Sequence, residues 1–330
     1  MKNINKEFIT GKPLSEKTIV IIGASSGIGR ATALEFSRHN CTVVLVARRE
    51  NVLRELAEEC KRLGATKAIA VRADVTDAKT LHGVVSTTLQ HSEEIDVWIN
   101  NVGAGAVGNF NEVPLEVHEQ IIRTSLMGHF NGTYAILPVF KRQRYGVLIN
   151  TISVGAWVPE PYAVAYTASK YGLRGFSESL RCELLHWPGI AVCDVYPAYI
   201  DTPGFQHGAN YTGKKLKPVP PVFKAERVAQ AMVKLACRPK DTVAVGETAI
   251  AFKWMHSACP SLTRRVLTGI MDNYFSRGKQ APISNGHVFE SSPLGSGVSG
   301  GWISEEQKST VPIVAGAFFA CLLTYLFVKH

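Results

Sequence analysis

None of the seven cysteines of this 330-residue chain (Cys41, Cys60, Cys182, Cys193, Cys237, Cys259, Cys321) forms a C-x-x-C pair, and their number is odd. That argues against a disulfide framework or a zinc knuckle and fits a reducing compartment. The ten histidines include no H-x-x-x-H or H-E-x-x-H pair, so no catalytic metal is expected. Charged residues are scarce at 19% against 46% hydrophobic, which excludes a disordered, collagen-like or coiled-coil chain. Residues 1–17 form a polar N-terminal arm without the apolar run of a signal peptide. No basic stretch carries interleaved aromatics, which argues against nucleic acid. The net charge is nevertheless +9, of which residues 277–330 supply only +1. The excess is therefore spread over the body of the chain and suits an anionic ligand or a membrane surface.

Across residues 18–276 short apolar, β-branched runs alternate with stretches of helical period. The runs are 19–22, 42–46, 68–71, 95–99, 147–149, 190–195 and 243–245; helical stretches include 50–63, 115–140, 168–185 and 225–236. Strands apolar on both faces belong to a parallel sheet covered by helices on each side. The pattern predicts one doubly wound α/β domain.

Two segments follow it. Residues 277–310 are rich in Gly, Ser and Pro without periodicity and read as a flexible linker. Residues 311–328 contain 18 positions without a charge. As a helix they would reach roughly 27 Å against roughly 30 Å of hydrocarbon, so a transmembrane span is expected rather than a buried terminal helix.

The run Gly23-Ala24-Ser25-Ser26-Gly27-Ile28-Gly29 lies between the first predicted strand and a helix. Gly23 allows the sharp turn, Gly27 lets backbone approach a pyrophosphate, and Gly29 lets the helix pack on the strand. The helix N-terminus then offers N–H groups and a positive dipole end to the phosphates. The second predicted strand ends in Ala47-Arg48-Arg49, with no carboxylate for a ribose 2′-hydroxyl. Two guanidiniums suit a 2′-phosphate, so NADP is expected rather than NAD.

Further on stand Asn100-Asn101-Val102-Gly103, Ser153, Tyr166-x-x-x-Lys170 and Pro197-Ala198-Tyr199-Ile200-Asp201-Thr202. Four residues apart on a helix, Tyr166 and Lys170 project from one face, and an ammonium there favours the phenolate. Alone the pair would be a common accident. Five motifs in order and register over residues 15–250 make the chain resemble the short-chain dehydrogenase/reductase family.

The resemblance implies a seven-stranded Rossmann-type sheet. It implies Tyr166 as the acid/base in hydride transfer, Lys170 lowering its pKa and binding the nicotinamide ribose, and Ser153 holding the substrate carbonyl. It also implies that Asp74-Val75 binds adenine, that Asn101 shapes the ribose pocket, and that Ile200 and Thr202 hold the carboxamide. Ser25 and Arg48 match positions that meet the 2′-phosphate. Departures are Ile22 for Thr, Val102 in N-N-A-G, Ala198 for Gly and, above all, Ser125, where the family places an Asn that organises a water relay to the lysine. A hydroxyl can still hold a water, so a slowed relay is expected rather than lost chemistry.

The expected function is an NADP(H)-dependent oxidoreductase interconverting a carbonyl and a secondary alcohol. It would be attached to a membrane by its C-terminus with the catalytic domain facing the cytoplasm. The alternative is a catalytically impaired dinucleotide-binding sensor or scaffold at a membrane, which Ser125 alone favours. The aromatic and proline residues Trp157, Pro159, Pro161, Tyr162, Phe205 and Tyr211 could line an apolar substrate pocket or merely pack. A homo-oligomeric state stays open.

Overall fold

Seven parallel strands order the molecule: β1 (Thr18–Ile22), β2 (Thr42–Ala47), β3 (Lys67–Arg72), β4 (Val97–Asn100), β5 (Gly146–Thr151), β6 (Ile190–Pro197) and β7 (Thr242–Val245). The structure is a computed structural model and describes residues 12–291 and 295–303. The strand order is β7-β6-β5-β4-β1-β2-β3, so the chain reverses direction across the sheet between β1 and β4. Ile22 at the end of β1 pairs with Val46 on one side and Asn100 on the other, and Asn100 pairs with Asn150 of β5. The crevice for a ligand therefore opens where β1 and β4 diverge.

The predicted alternation holds because the five inner strands bury both faces, while the edge strands β3 and β7 are only half-buried. Ile19 and Ile21 of β1 join a core with Phe36 and Leu53, whereas Val20 and Ile22 join one with Trp98 and Phe140. The covering helices are α1 (Gly27–Ser37), α2 (Glu50–Arg62), α3 (Ala78–His91), α4 (Leu115–Ile122), α5 (Gly128–Gln143), α6 (Val164–Glu183) and α7 (Ala225–Cys237). The long helix expected over 115–140 is interrupted by a π-turn, Arg123–Met127, which carries Ser125. Two further helices, α8 (Glu247–Ala258) and α9 (Pro260–Arg277), complete the domain.

Helix α6 carries both Tyr166 and Lys170 and is tied to the sheet by polar groups its apolar face cannot supply. The Ser177 hydroxyl donates to Asp194 at 2.7 Å, and the Arg181 guanidinium meets the same buried carboxylate at 2.8 Å. Arg181 also donates to the Val192 carbonyl at 3.0 Å and the Asp241 carbonyl at 2.6 Å.

The segment expected to be a flexible linker is held against the domain in its described part. Ser284 and Asn210 exchange backbone hydrogen bonds at 2.8 and 2.9 Å, and the Gly27 N–H donates to the Gly297 carbonyl at 2.9 Å. Its glycines serve close approach as well as turns: a Cβ on Gly286 would lie 2.4 Å from the Gly208 carbonyl oxygen. Among the described residues no helix is long and apolar enough to cross a membrane, and the span expected at 311–328 lies outside them.

Removing the guanidinium in Arg181→Ala leaves Asp194 buried without its countercharge, with only hydroxyl donors. The substitution is expected to cost about 3 kcal/mol in denaturant unfolding. A loss below about 0.5 kcal/mol, the range of an ordinary surface change, would show that the pair does not hold α6.

Candidate active site

The loop after β1 takes the form its glycines allow. Gly23 has φ +85° and Gly27 has φ +54°, both costly for other residues. A Cβ on Gly29 would sit 2.0 Å from the Gly23 carbonyl oxygen, so only glycine lets α1 close on the turn. The Asn101 amide reaches the same carbonyl at 3.5 Å and links the loop to the end of β4. The first turn of α1 thus faces an open cleft of about 440 Å³ bordered by Gly23, Ser25, Ser26, Gly27 and Ile28.

At the second strand's end Arg48 and Arg49 both border the cleft. Arg49, rather than Arg48, contacts Ser25, donating to its hydroxyl at 3.2 Å and to its carbonyl at 3.3 Å. Burial and the neighbouring charges of Arg48 and Arg30 depress Arg49, a local excess of positive charge that an anion would relieve. Asp74 and Val75 border the cleft beyond them, with the Asp74 carboxylate fixed by the Thr76 N–H at 2.9 Å and hydroxyl at 2.8 Å. The Val75 carbonyl is held by the Asn131 amide at 2.8 Å. Ile200 and Thr202 line the opposite wall, where the Thr202 Cβ would be 3.1 Å from a Cβ on Gly27. A narrow glycine turn, a helix start, a carboxylate and two guanidiniums along one cleft are a donor set that fits a dinucleotide.

Ser153, Tyr166 and Lys170 meet at the other end of this cleft. Ser153 follows β5 and its Oγ accepts from the Gly155 N–H at 3.0 Å, which fixes its rotamer. Lys170 is 3% exposed; its Nζ donates to the Thr151 carbonyl at 3.3 Å and lies 5.5 Å from the Tyr166 ring centroid. Burial pushes Lys170 down to about 8, opposed by the Glu160 carboxylate. Burial pushes Tyr166 above its usual range, Glu160 adds to this, and a hydrogen bond with Ser153 acts the other way. The lowering of Tyr166 expected from its lysine neighbour is not seen: Ser153 alone pulls it down, against burial and Glu160.

Glu160 was not anticipated. It borders the cleft, and burial pushes it up to about 7 against the pull of Lys170. Its signal in the sequence is that it is the one charged residue between Ser153 and Tyr166. Tyr199 also lines the cleft, pushed up by burial, Glu160 and Tyr166.

Ser125 meets the backbone of the loop after β4. Its hydroxyl is buried, donates to the Ala104 carbonyl at 3.0 Å and accepts from the Ala104 N–H at 2.9 Å. Both bonds pin the loop after β4. Of the candidate pocket residues, Phe205 borders the cleft. Trp157 stacks on Tyr196 at 4.1 Å in the core, Tyr162 bonds Asp272, and Tyr211 bonds Asn285. No cluster of His, Cys, Asp and Glu among the described residues could hold a metal ion.

Comparison with known proteins agrees with this geometry. A family model described as short chain dehydrogenase matches residues 17–210. An uncharacterized oxidoreductase of Bacillus subtilis is 30% identical, covering 97% of this chain and 92% of its own. An 11-beta-hydroxysteroid dehydrogenase-like protein (4A) of Arabidopsis thaliana is 31% identical over 78% of this chain and 86% of its own. Among solved structures, an alcohol dehydrogenase from the archaeon Thermococcus sibiricus complexed with 5-hydroxy-NADP is 25% identical with a TM-score of 0.61. It covers 70% of this chain and 96% of that one. With a glycine turn, a Ser-Tyr-Lys cluster and a seven-stranded parallel sheet in the matched order, the chain belongs to the short-chain dehydrogenase family of oxidoreductases.

Proposed function

We propose that the protein is an NADP(H)-dependent oxidoreductase that interconverts a carbonyl and a secondary alcohol, with Tyr166 as acid/base. The observation that carries this reading is the meeting of Ser153, Tyr166 and Lys170 in a cleft whose far end holds Arg48 and the glycine turn. The bound nicotinamide would supply or accept the hydride. Ser153, fixed by Gly155, would bond the substrate oxygen, and Tyr166 would hand a proton to that oxygen as charge develops on it. The raised Tyr166 keeps its proton at neutral pH, which suits the carbonyl-reducing direction. Lys170 spends one of its three N–H donors on Thr151 and keeps the others for a ribose and for proton exchange.

NADP preference is supported by Arg48 and Arg49 beside a strand end that lacks a carboxylate. The archaeal neighbour, complexed with 5-hydroxy-NADP, points the same way. The hydroxysteroid dehydrogenase-like name of the plant relative and the cleft position of Phe205 support an apolar substrate. The Ser125 hydroxyl holds the loop at Ala104 and keeps a second lone pair for a water, which supports a slowed relay over a non-catalytic sensor or scaffold.

The uncharged residues 311–328 support a membrane anchor, and the buried free thiols of Cys41 and Cys60 support a catalytic domain facing the cytoplasm.

Tyr166→Phe keeps the ring and removes the proton; carbonyl turnover is expected to fall at least about a hundredfold while NADPH still binds. Retention of most activity would refute the assignment. In calorimetric titration NADPH should bind far more tightly than NADH. Arg48→Ala should weaken NADPH about ten- to a hundredfold, the loss of one charge-assisted contact of about 1.5–3 kcal/mol. Equal affinities in the unmodified protein would contradict this.

Lys170 loses its proton as pH rises through about 8, so turnover should fall on that limb. Glu160→Gln removes a charge that raises Lys170, so the limb should move to lower pH; a limb that stays put would detach Glu160 from the lysine. The full chain should resist extraction by carbonate and yield to detergent, whereas recovery in the carbonate supernatant would exclude the anchor.

A further inference from the structure

The glycine-rich C-terminal segment touches both ends of the dinucleotide cleft. Residues 284–287 are tied to the stretch before residue 212. Ser284 pairs with Asn210, the His287 N–H donates to the His207 carbonyl at 2.8 Å, and the Tyr211 hydroxyl bonds Asn285. This delivers the next carbonyls to Arg48, whose guanidinium donates to Phe289 at 3.5 Å and to Glu290 at 3.1 Å. A guanidinium has five N–H donors in a fixed fork, so two carbonyl bonds orient it and leave donors for an anion. Arg48, Arg72 and Asp74 border a hollow whose outer side is Phe289, Glu290 and Ser291. Ser291, with His287 and Val288, also borders the main cleft.

The second contact is a buried carboxylate. Asp201 stands between Ile200 and Thr202 and is 5% exposed. It accepts from the Gly300 and Trp302 N–H groups, both at 2.9 Å, and from the Ser299 hydroxyl at 2.6 Å. The Trp302 indole N–H donates to the Thr202 carbonyl at 2.9 Å. Three residues earlier than Gly300, the Gly297 carbonyl accepts from Gly27 in the glycine turn at 2.9 Å. One short stretch thus holds the phosphate loop and the Ile200–Thr202 wall in register. It takes one N–H of the first turn of α1, the turn that also carries Ile28 and Gly29.

We propose that the dinucleotide site extends onto this segment. Residues 287–291 close the 2′-phosphoadenosine end and aim Arg48, and residues 297–302 clamp the glycine turn to the wall opposite. The ligand class is a dinucleotide with a 2′-phosphorylated adenosine, so the inference rests on the NADP reading above. The glycines follow from it: a Cβ on Gly300 would lie 2.3 Å from the Thr202 carbonyl oxygen, as one on Gly286 would clash with Gly208.

The test uses the purified full chain in detergent with the single variants Gly286→Val and Gly300→Val, each checked for folding by circular dichroism. NADPH and NADH are titrated into all three proteins. Both variants are expected to bind NADPH about tenfold more weakly, the scale of one displaced charge-assisted contact. Gly286→Val, which releases Arg48, should lose less with NADH. In the unmodified chain, saturating NADPH should slow amide hydrogen exchange in residues 287–291 and 297–302, a readout that does not depend on either variant folding. Folded variants that bind NADPH as well as or better than the unmodified chain would overturn the proposal. Exchange that is unchanged or faster with NADPH bound would overturn it too. An unmodified chain that binds NADH but not NADPH would instead overturn the cofactor reading, and this inference with it.

Discussion

A line of buried hydrogen bonds crosses the sheet from β4 to α6, and the catalytic end of the cleft depends on it. The Trp98 indole donates to Asn100 at 2.9 Å, the Asn100 amide donates to Asn150 at 3.0 Å, and Asn150 donates to Ser177 at 3.2 Å. Ser177 donates to Asp194, which Arg181 neutralises. Each member except Arg181 is nearly inaccessible to water, so a missing partner would strand a polar group at a cost of about 1–3 kcal/mol. Apolar packing alone would let α6 slide along β5 and β6 at little cost. The polar line allows one register, and that register sets Tyr166 and Lys170 beside Ser153.

The same logic of local commitment explains the reacting groups. Strands β1, β4, β5 and β6 all end at one edge, so the glycine turn, Asn101, Ser153 and Ile200 follow from strand termini at the switch point of the sheet. Around them charges lie close enough to perturb one another. Glu160, Lys170, Tyr166 and Tyr199 form a cluster in which burial disfavours every charge and each charge perturbs its neighbours. In it Tyr166 and Tyr199 are both pushed above the usual tyrosine range. His129, also buried, is pushed down to about 3 by desolvation and Lys170 and stays neutral, anchored to the Val102 carbonyl at 3.1 Å. It braces the loop after β4 from one side as Ser125 does from another.

Much of this was written locally in the chain. Doubly buried strands, a glycine turn at the first strand–helix junction and a Tyr-x-x-x-Lys spacing each follow from periodicity or from the steric freedom of one residue, so the fold and the placing of Tyr166 and Lys170 on one helix face were legible. The absence of a carboxylate at Ala47 is equally a property of the sequence. What periodicity does not encode is which partner a side chain meets across dozens or hundreds of residues. The bonds of Ser125 to Ala104 and the place of Glu160 at the cleft are set by such partners. The C-terminal segment makes the point most sharply. Glycine chosen for flexibility and glycine chosen so that two backbones can touch look alike in a sequence. Gly286 and Gly300 were assigned their role only when the tertiary structure laid them against Gly208 and Thr202.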